Sequence, residues 1–142
     1  MEWITSIEAE VCRVLGVAEK EILKSALPEA AEQLSRLRAR KIAIKLGGRG
    51  CYLGFGDGRR ELLPAFRVQS VDTAAAGDAF NGGFAACPIE ARDPIFSAVF
   101  ACVAAAISVT RRGAKASMPT RQEVLRFVAE QFPMTFDEGC PR

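Results

Sequence analysis

The chain has 142 residues, enough for one compact domain with a real hydrophobic core, and its 49% hydrophobic and 25% charged residues are ordinary globular proportions that argue against disorder. Against 17 Asp and Glu stand 19 Lys and Arg, and the resulting net charge of +2 is too small for a nucleic-acid footprint. With no histidine, imidazole metal sites, Ser-His-Asp or Cys-His catalysis and an imidazole base are excluded, so chemistry must come from carboxylates, backbone amides, Lys, Arg or a bound cofactor.

In chain order, residues 6–16 read as a short helix closed by Gly16. Residues 28–40 read as a clearer helix, with Pro28 in the first turn, acids early and arginines late, and Ala30, Leu34 and Leu37 on one face. KIAIKL (41–46) alternates and is β-branched, which predicts a strand. Gly47-Gly48-Arg49-Gly50 is a turn, CYLGF (51–55) a second strand, and Gly56-Asp57-Gly58 a hairpin turn. Residues 61–71 are extended, with Pro64 putting part of them at an edge or bulge. A helix starts near Ala76 and runs towards Cys87, and an apolar helix covers 94–110. After a break at Arg111-Arg112-Gly113, a last helix covers 120–132, with Thr120 and Glu123 in capping-box spacing. The fold class is α/β, helices packed against a sheet: one domain over 1–132 and a loose tail over 133–142.

Cys12, Cys51, Cys87, Cys102 and Cys140 are odd in number and lack C-x-x-C spacing, so they are expected to be buried small residues, with Cys140 in the tail. The acidic N-terminus has neither the basic nor the apolar region of a secretory signal. The uncharged run Pro94–Thr110 falls short of the ~20 residues of a membrane span. A cytoplasmic protein with no membrane partner is expected. The basic cluster of Arg36, Arg38, Arg40 and Lys41, and the pair Arg111-Arg112, read as solvated helix ends. Phe80, Phe84, Phe96 and Phe100 read as core, and Trp3 and Tyr52 have no evident role.

The segment that carries chemistry is Asp72-Thr73-Ala74-Ala75-Ala76-Gly77-Asp78-Ala79-Phe80-Asn81-Gly82-Gly83. An extended stretch enters small residues and then starts a helix. Unpaired N–H groups there, with the positive end of the helix dipole, suit an anion, and small side chains let a phosphate approach the backbone. Asp78 in the first turn is placed to accept a proton, a combination suited to phosphoryl transfer. On residue types alone the plainer reading stays open, with Asp78 an ordinary first-turn acid and Asp72 a turn residue. The segment matches neither the P-loop nor the G-x-G-x-x-G pattern.

These residues resemble the D-T-x-[GA]-A-G-D-x-F signature of the ribokinase-like (PfkB) carbohydrate kinases. Ile44-Lys45-Leu46-Gly47-Gly48-Arg49-Gly50 resembles the family's T-L-G-x-x-G strand and turn. Ala104 to Ala114, with Ser117 and Pro119, resembles its closing A-A-x-x-V-T-R-x-G-A-x-x-S-x-P, and Glu8-Ala9-Glu10 the end of its N-x-x-E-A-E motif. The resemblance covers residues 5–132. It implies a three-layer α/β/α ribokinase-like fold of which this is the C-terminal, nucleotide-binding part, without the N-terminal strands, the lid or the sugar-gripping segment. A sheet lacking those strands is expected to expose an edge and apolar surface, which a second copy (a homo-oligomer) or an N-terminal half would cover.

The resemblance further implies ATP-dependent phosphorylation of a small-molecule sugar with Mg²⁺ and K⁺. Asp78 matches the catalytic base, and the amides of Ala75, Ala76, Gly77 and Asp78 match the anion hole. Glu8 matches the glutamate that places Mg²⁺ through water, and Lys45, Gly47 and Gly50 lie where the turn meets ATP. Asp72, Ala74, Ser108, Arg111, Gly113 and Ser117 match positions around the K⁺ site. Three residues depart from the pattern. Thr5 replaces asparagine, Lys45 replaces threonine and either meets a phosphate or faces solvent, and Cys102 replaces an asparagine near the nucleotide. Two alternatives stand beside sugar kinase: a nucleotide-binding fragment without turnover, and a nucleoside kinase of the same superfamily.

Overall fold

The computed structural model describes residues 3–16, 28, 29, 32, 40–87 and 93–132. The chain divides into two compact units, residues 1–65 and 66–142. The expected tail over 133–142 lies outside the described residues, as does most of the helix expected over 28–40, of which residues 28, 29 and 32 are helical.

The first unit is a mixed sheet with a helix on one face. Strand β1 is Trp3–Ile7, helix α1 Glu8–Leu15, β2 Lys41–Lys45, β3 Cys51–Phe55 and β4 Arg60–Leu63. The sheet order is β1-β2-β3-β4. β1 and β2 are parallel, with Ile4 opposite Ile42 and Ile7 opposite Lys45. The other two pairs are antiparallel, with Ile44 opposite Tyr52 and Cys51 opposite Leu63. β1 corrects the expectation of helix from residue 6. Trp3, Ile4, Thr5 and Ile7 are β-formers, and the helix begins only at Glu8. The extended reading of 61–71 is also shortened. Pro64 has no N–H to donate, and regular pairing stops at Leu63.

The start of α1 is held by Glu10. Its Oε2 accepts from the Ile7 N–H at 3.0 Å and the Ser6 hydroxyl at 2.8 Å. These bonds, the backbone one first, keep the Glu10 carboxyl below its ordinary pKa, and Lys45 and Arg13 add to the effect. Gly16, at φ 66°, closes the helix in the left-handed conformation. The apolar side of α1, Val11 and Cys12, packs on Ile42, Ile44, Leu46 and Tyr52. Each fully buried aliphatic side chain there is worth about 1.5–3 kcal/mol. The Tyr52 hydroxyl lies in this core with no hydrogen-bond partner among the described residues, and burial raises its pKa.

The second unit is helical. It contains α2 (Ala76–Ala86), α3 (Pro94–Val109) and α4 (Arg121–Gln131). α3 is capped by Asp93, which accepts from the Ile95 N–H at 2.9 Å. It is buried nearly all round, as its apolar sequence requires. α2 lies close against it because Gly83 has no side chain. A Cβ there would stand 3.1 Å from both the Ala101 Cα and the Ala104 Cβ. Phe100, Val103, Ala104, Ile107, Val124 and Val128 form the core. Phe80, Phe84 and Phe100 are buried and Phe96 packs on that core, as expected. Thr120 and Glu123 form the expected capping box. Cys12, Cys51, Cys87 and Cys102 are buried and outside disulfides, again as expected. No described helix is long and apolar enough to cross a membrane.

The β2–β3 turn depends on Gly50. It sits at φ 100°, and an added Cβ would lie 1.8 Å from the Leu63 carbonyl oxygen. Gly50→Ala is expected to lower stability by about 2–4 kcal/mol in a denaturant titration. Gly48→Ala, where nothing lies within 4 Å, should change it little. Equal midpoints for the two variants would contradict this role of Gly50.

Candidate functional site

The segment 71–78 is fixed at both ends before α2 begins. The N–H groups of Val71 and Asp72 both donate to the Val109 carbonyl, at 2.7 and 3.1 Å. The Asp72 carboxylate then accepts from two backbone donors. Oδ1 takes the Ala74 N–H and Oδ2 takes the Gly113 N–H, each at 3.0 Å. Those bonds, Ala74 first, hold its carboxyl below the ordinary pKa, with the Arg112 charge adding to them. One side chain therefore ties the entry to α2 to the loop that leaves α3.

α2 starts at Ala76 as expected, with Ala75 as an N-cap that offers no side-chain acceptor. The Ala76 N–H donates to the Thr73 carbonyl at 3.2 Å. Of the four amides expected to form an anion hole, that of Ala76 is therefore already committed. Among the described residues the N–H groups of Ala75, Gly77 and Asp78 donate to nothing, while that of Ala76 is spent in the turn. An uncapped helix start with unspent donors is the physical requirement for binding an anion. Asp78 is exposed in the first turn of the same helix, so its carboxylate is open to solvent.

The other residues expected around a monovalent cation lie in the same unit. Asp72, Ala74 and Gly113 are brought together by the carboxylate bonds just described. Gly113 is at φ 89°. Ser108 and Ser117 are buried, with their hydroxyls donating to the carbonyls of Ala105 and Ala114, both at 2.8 Å. The Ser108 carbonyl already accepts from the Thr110 and Arg111 N–H groups, so a cation there would share that oxygen. Arg111 is not simply solvated. Its guanidinium donates to Glu123, at 2.5 Å to Oε1 and 3.5 Å to Oε2. Cys102 is buried within α3.

In the first unit, Glu8 is the first residue of α1, and Lys45 ends β2. Lys45 is half-buried and near enough to Glu10 to help stabilise its charge. Gly47, at φ 57°, and Gly50 bracket a single 3-10 turn, Gly47–Arg49. Its loop is closed by Leu46 N–H to Gly50 O at 2.9 Å. Arg49 Nη2 contacts Glu8 Oε1. Sequence reading missed Arg49, Glu10 and Ser6. Arg49 stood inside the turn motif, but its partner lies 41 residues away and no local pattern announces it. Ser6-x-x-x-Glu10 carried a readable signal, a hydroxyl and a carboxylate at a helix start.

Comparison with known proteins gives consistent matches. The model of the pfkB family carbohydrate kinases matches residues 8–121. Ribokinase of Haemophilus influenzae is 39% identical over 121 residues, covering 85% of this chain and 38% of that protein. The crystal structure of ribokinase from Thermotoga maritima superposes with a TM-score of 0.77 at 37% identity, covering 90% of this chain and 42% of that one. The structure of Arabidopsis thaliana ribokinase complexed with ribose and ATP gives a TM-score of 0.77 at 25% identity, covering 90% and 41%. The fold is thus ribokinase-like α/β, and the chain spans about two-fifths of the length of these relatives.

Glu123 gives a pH prediction. The Arg111 hydrogen bonds, then the Thr120 N–H, lower its carboxyl from 4.5 to about 2. A depressed carboxylate contributes stability that is complete above its ordinary pKa and lost as pH falls through the folded value. Glu123→Gln should therefore be less stable than wild type at neutral pH, and the gap should close between pH 4.5 and about 2. Urea midpoints across that range test this, and a gap independent of pH would contradict it.

Proposed function

The chain belongs to the pfkB family of carbohydrate kinases, and from that premise we propose that it serves ATP-dependent phosphoryl transfer to a sugar hydroxyl. The observation that carries this reading is the uncapped start of α2, where three unspent N–H groups stand beside the exposed Asp78 carboxylate. Asp78 takes the proton of the attacking hydroxyl as the new O–P bond forms and the bond to the ADP oxygen breaks. The amides of Ala75, Gly77 and Asp78 accept the negative charge that spreads over the transferred group. Ala76 contributes a small side chain and the turn that aims its neighbours. The relative bound to ribose and ATP supports a nucleotide and a pentose as ligands of this kind of site.

The donor chemistry suits Mg²⁺ that travels with the nucleotide. Among the described residues no three His, Cys, Asp or Glu side chains gather to hold a resident metal. Mg²⁺ commonly relies on one or two carboxylates, water and substrate phosphates. Glu8 is such a carboxylate, partly exposed and already facing a positive charge, the Arg49 guanidinium. When bound, Mg²⁺ supplies charge neutralisation between the phosphates. Gly47 lets the turn backbone approach the nucleotide, Gly50 holds that turn against Leu63, Lys45 adds positive charge at its base, and Cys102 takes the place of the family's asparagine. K⁺ suits the Asp72 carboxylate, which is fixed by Ala74 and Gly113 and keeps spare lone pairs, with Ser108, Arg111 and Ser117 as the further positions that the family resemblance assigns to the cation.

A second reading is nucleotide binding without turnover. Two measurements separate the readings. In a phosphate-transfer assay with ribose and fructose, Asp78→Asn should lose about 10²- to 10⁴-fold in kcat while KM for ATP changes little. Unchanged turnover in the variant would remove Asp78 from the chemistry. In calorimetry, ATP·Mg binding strengthened by sugar supports a kinase, and ATP binding indifferent to sugar supports the fragment.

A further inference from the structure

The ion pair between Glu8 and Arg49 joins the head of α1 to the β2–β3 turn. We propose that Arg49 is a positioning residue that guards Glu8. In the free protein its guanidinium stands in for a divalent cation, and it releases the carboxylate only when nucleotide phosphates arrive to take up its charge. This deepens the reading above and rests on Glu8 being the carboxylate that places Mg²⁺.

Three observations carry the inference. First, Glu8 is not needed to cap its own helix. Glu10 does that work through the Ile7 N–H and the Ser6 hydroxyl, which leaves Glu8 to face the turn. Second, Arg49 is presented by a backbone with little freedom. Its own N–H donates to the Leu46 carbonyl at 3.1 Å, the Gly50 N–H to the Gly47 carbonyl at 3.2 Å, and Gly50 is packed against Leu63. Third, both partners remain reachable, at 25% side-chain exposure for Glu8 and 43% for Arg49. An exposed pair of this kind adds little to stability, so its value lies in what it does to ligands. A guanidinium touching the carboxylate repels a second cation and attracts a polyphosphate. The pair therefore penalises metal without nucleotide and favours the two arriving together.

The test is direct metal binding by the full 142-residue chain, with Mn²⁺ as the probe and free Mn²⁺ read by electron paramagnetic resonance. Arg49→Gln should bind Mn²⁺ alone more tightly, by about threefold or more, and metal-free ADP more weakly, with its melting temperature unchanged. Arg49→Lys keeps the charge and should remain near wild type. Adding Glu8→Gln to Arg49→Gln should abolish the gain in Mn²⁺ binding. If Arg49→Gln leaves Mn²⁺ binding unchanged while Glu8→Gln weakens binding of Mn²⁺ with ADP, the guard role is wrong and the reading of Glu8 survives. If Glu8→Gln leaves binding of Mn²⁺ with ADP untouched, the reading of Glu8 fails and the guard role with it.

Discussion

A single carboxylate organises the second unit. Asp72 spends its two oxygens on the N–H groups of Ala74 and Gly113, and by doing so sets where α2 may begin. Without that clamp, the residues from 73 to 77 have few side chains to hold them, since they are Thr, three Ala and Gly. Their smallness is what an anion needs, and it is also why they cannot shape themselves. Geometry is therefore imported from Asp72, from the Val109 carbonyl and from the Thr73 carbonyl that takes the Ala76 N–H. The cost of this design is an uncapped helix start, and the proposed function rests on the unspent donors left by it.

The first unit solves a similar problem with opposite means. Its turn is shaped by glycines at positive φ and by hydrogen bonds across it, and the acids at the head of α1 divide their work. Glu10 satisfies local donors, while Glu8 reaches across to Arg49. Both acids also lie at the positive end of the helix dipole, where negative charge is favoured. Local structure is thus secured by Glu10, and Glu8 is left to pair with Arg49.

Much of this was legible in the sequence because it is local. The start of α2 at Ala76, the capping box of Thr120 and Glu123, the hairpin at Gly56 to Gly58 and the helix closure at Gly16 each follow from residue types at fixed offsets. What escaped was non-local. β1 is recognisable as a strand only through its parallel pairing with β2, although Trp3, Ile4 and Thr5 hinted at it. Arg111 reads as a solvated helix end in the sequence because its partner Glu123 lies on a different helix, α4. Gly83 carries no local signal of its role, since what requires its small size is the close approach of Ala101 and Ala104 on α3. The loss of the Ala76 N–H to the turn was also beyond the sequence, since it depends on the backbone path from Thr73.

The anion site at the start of α2 is tested most directly by the backbone amides themselves. Amide ¹H–¹⁵N spectra of the protein, titrated with Mg²⁺ and a non-hydrolysable ATP analogue, report which N–H groups gain an acceptor. The largest shifts are expected at Ala75, Gly77 and Asp78, with Ala76 moving less because its donor is already committed. Saturable nucleotide binding that leaves those three amides unmoved would contradict the site.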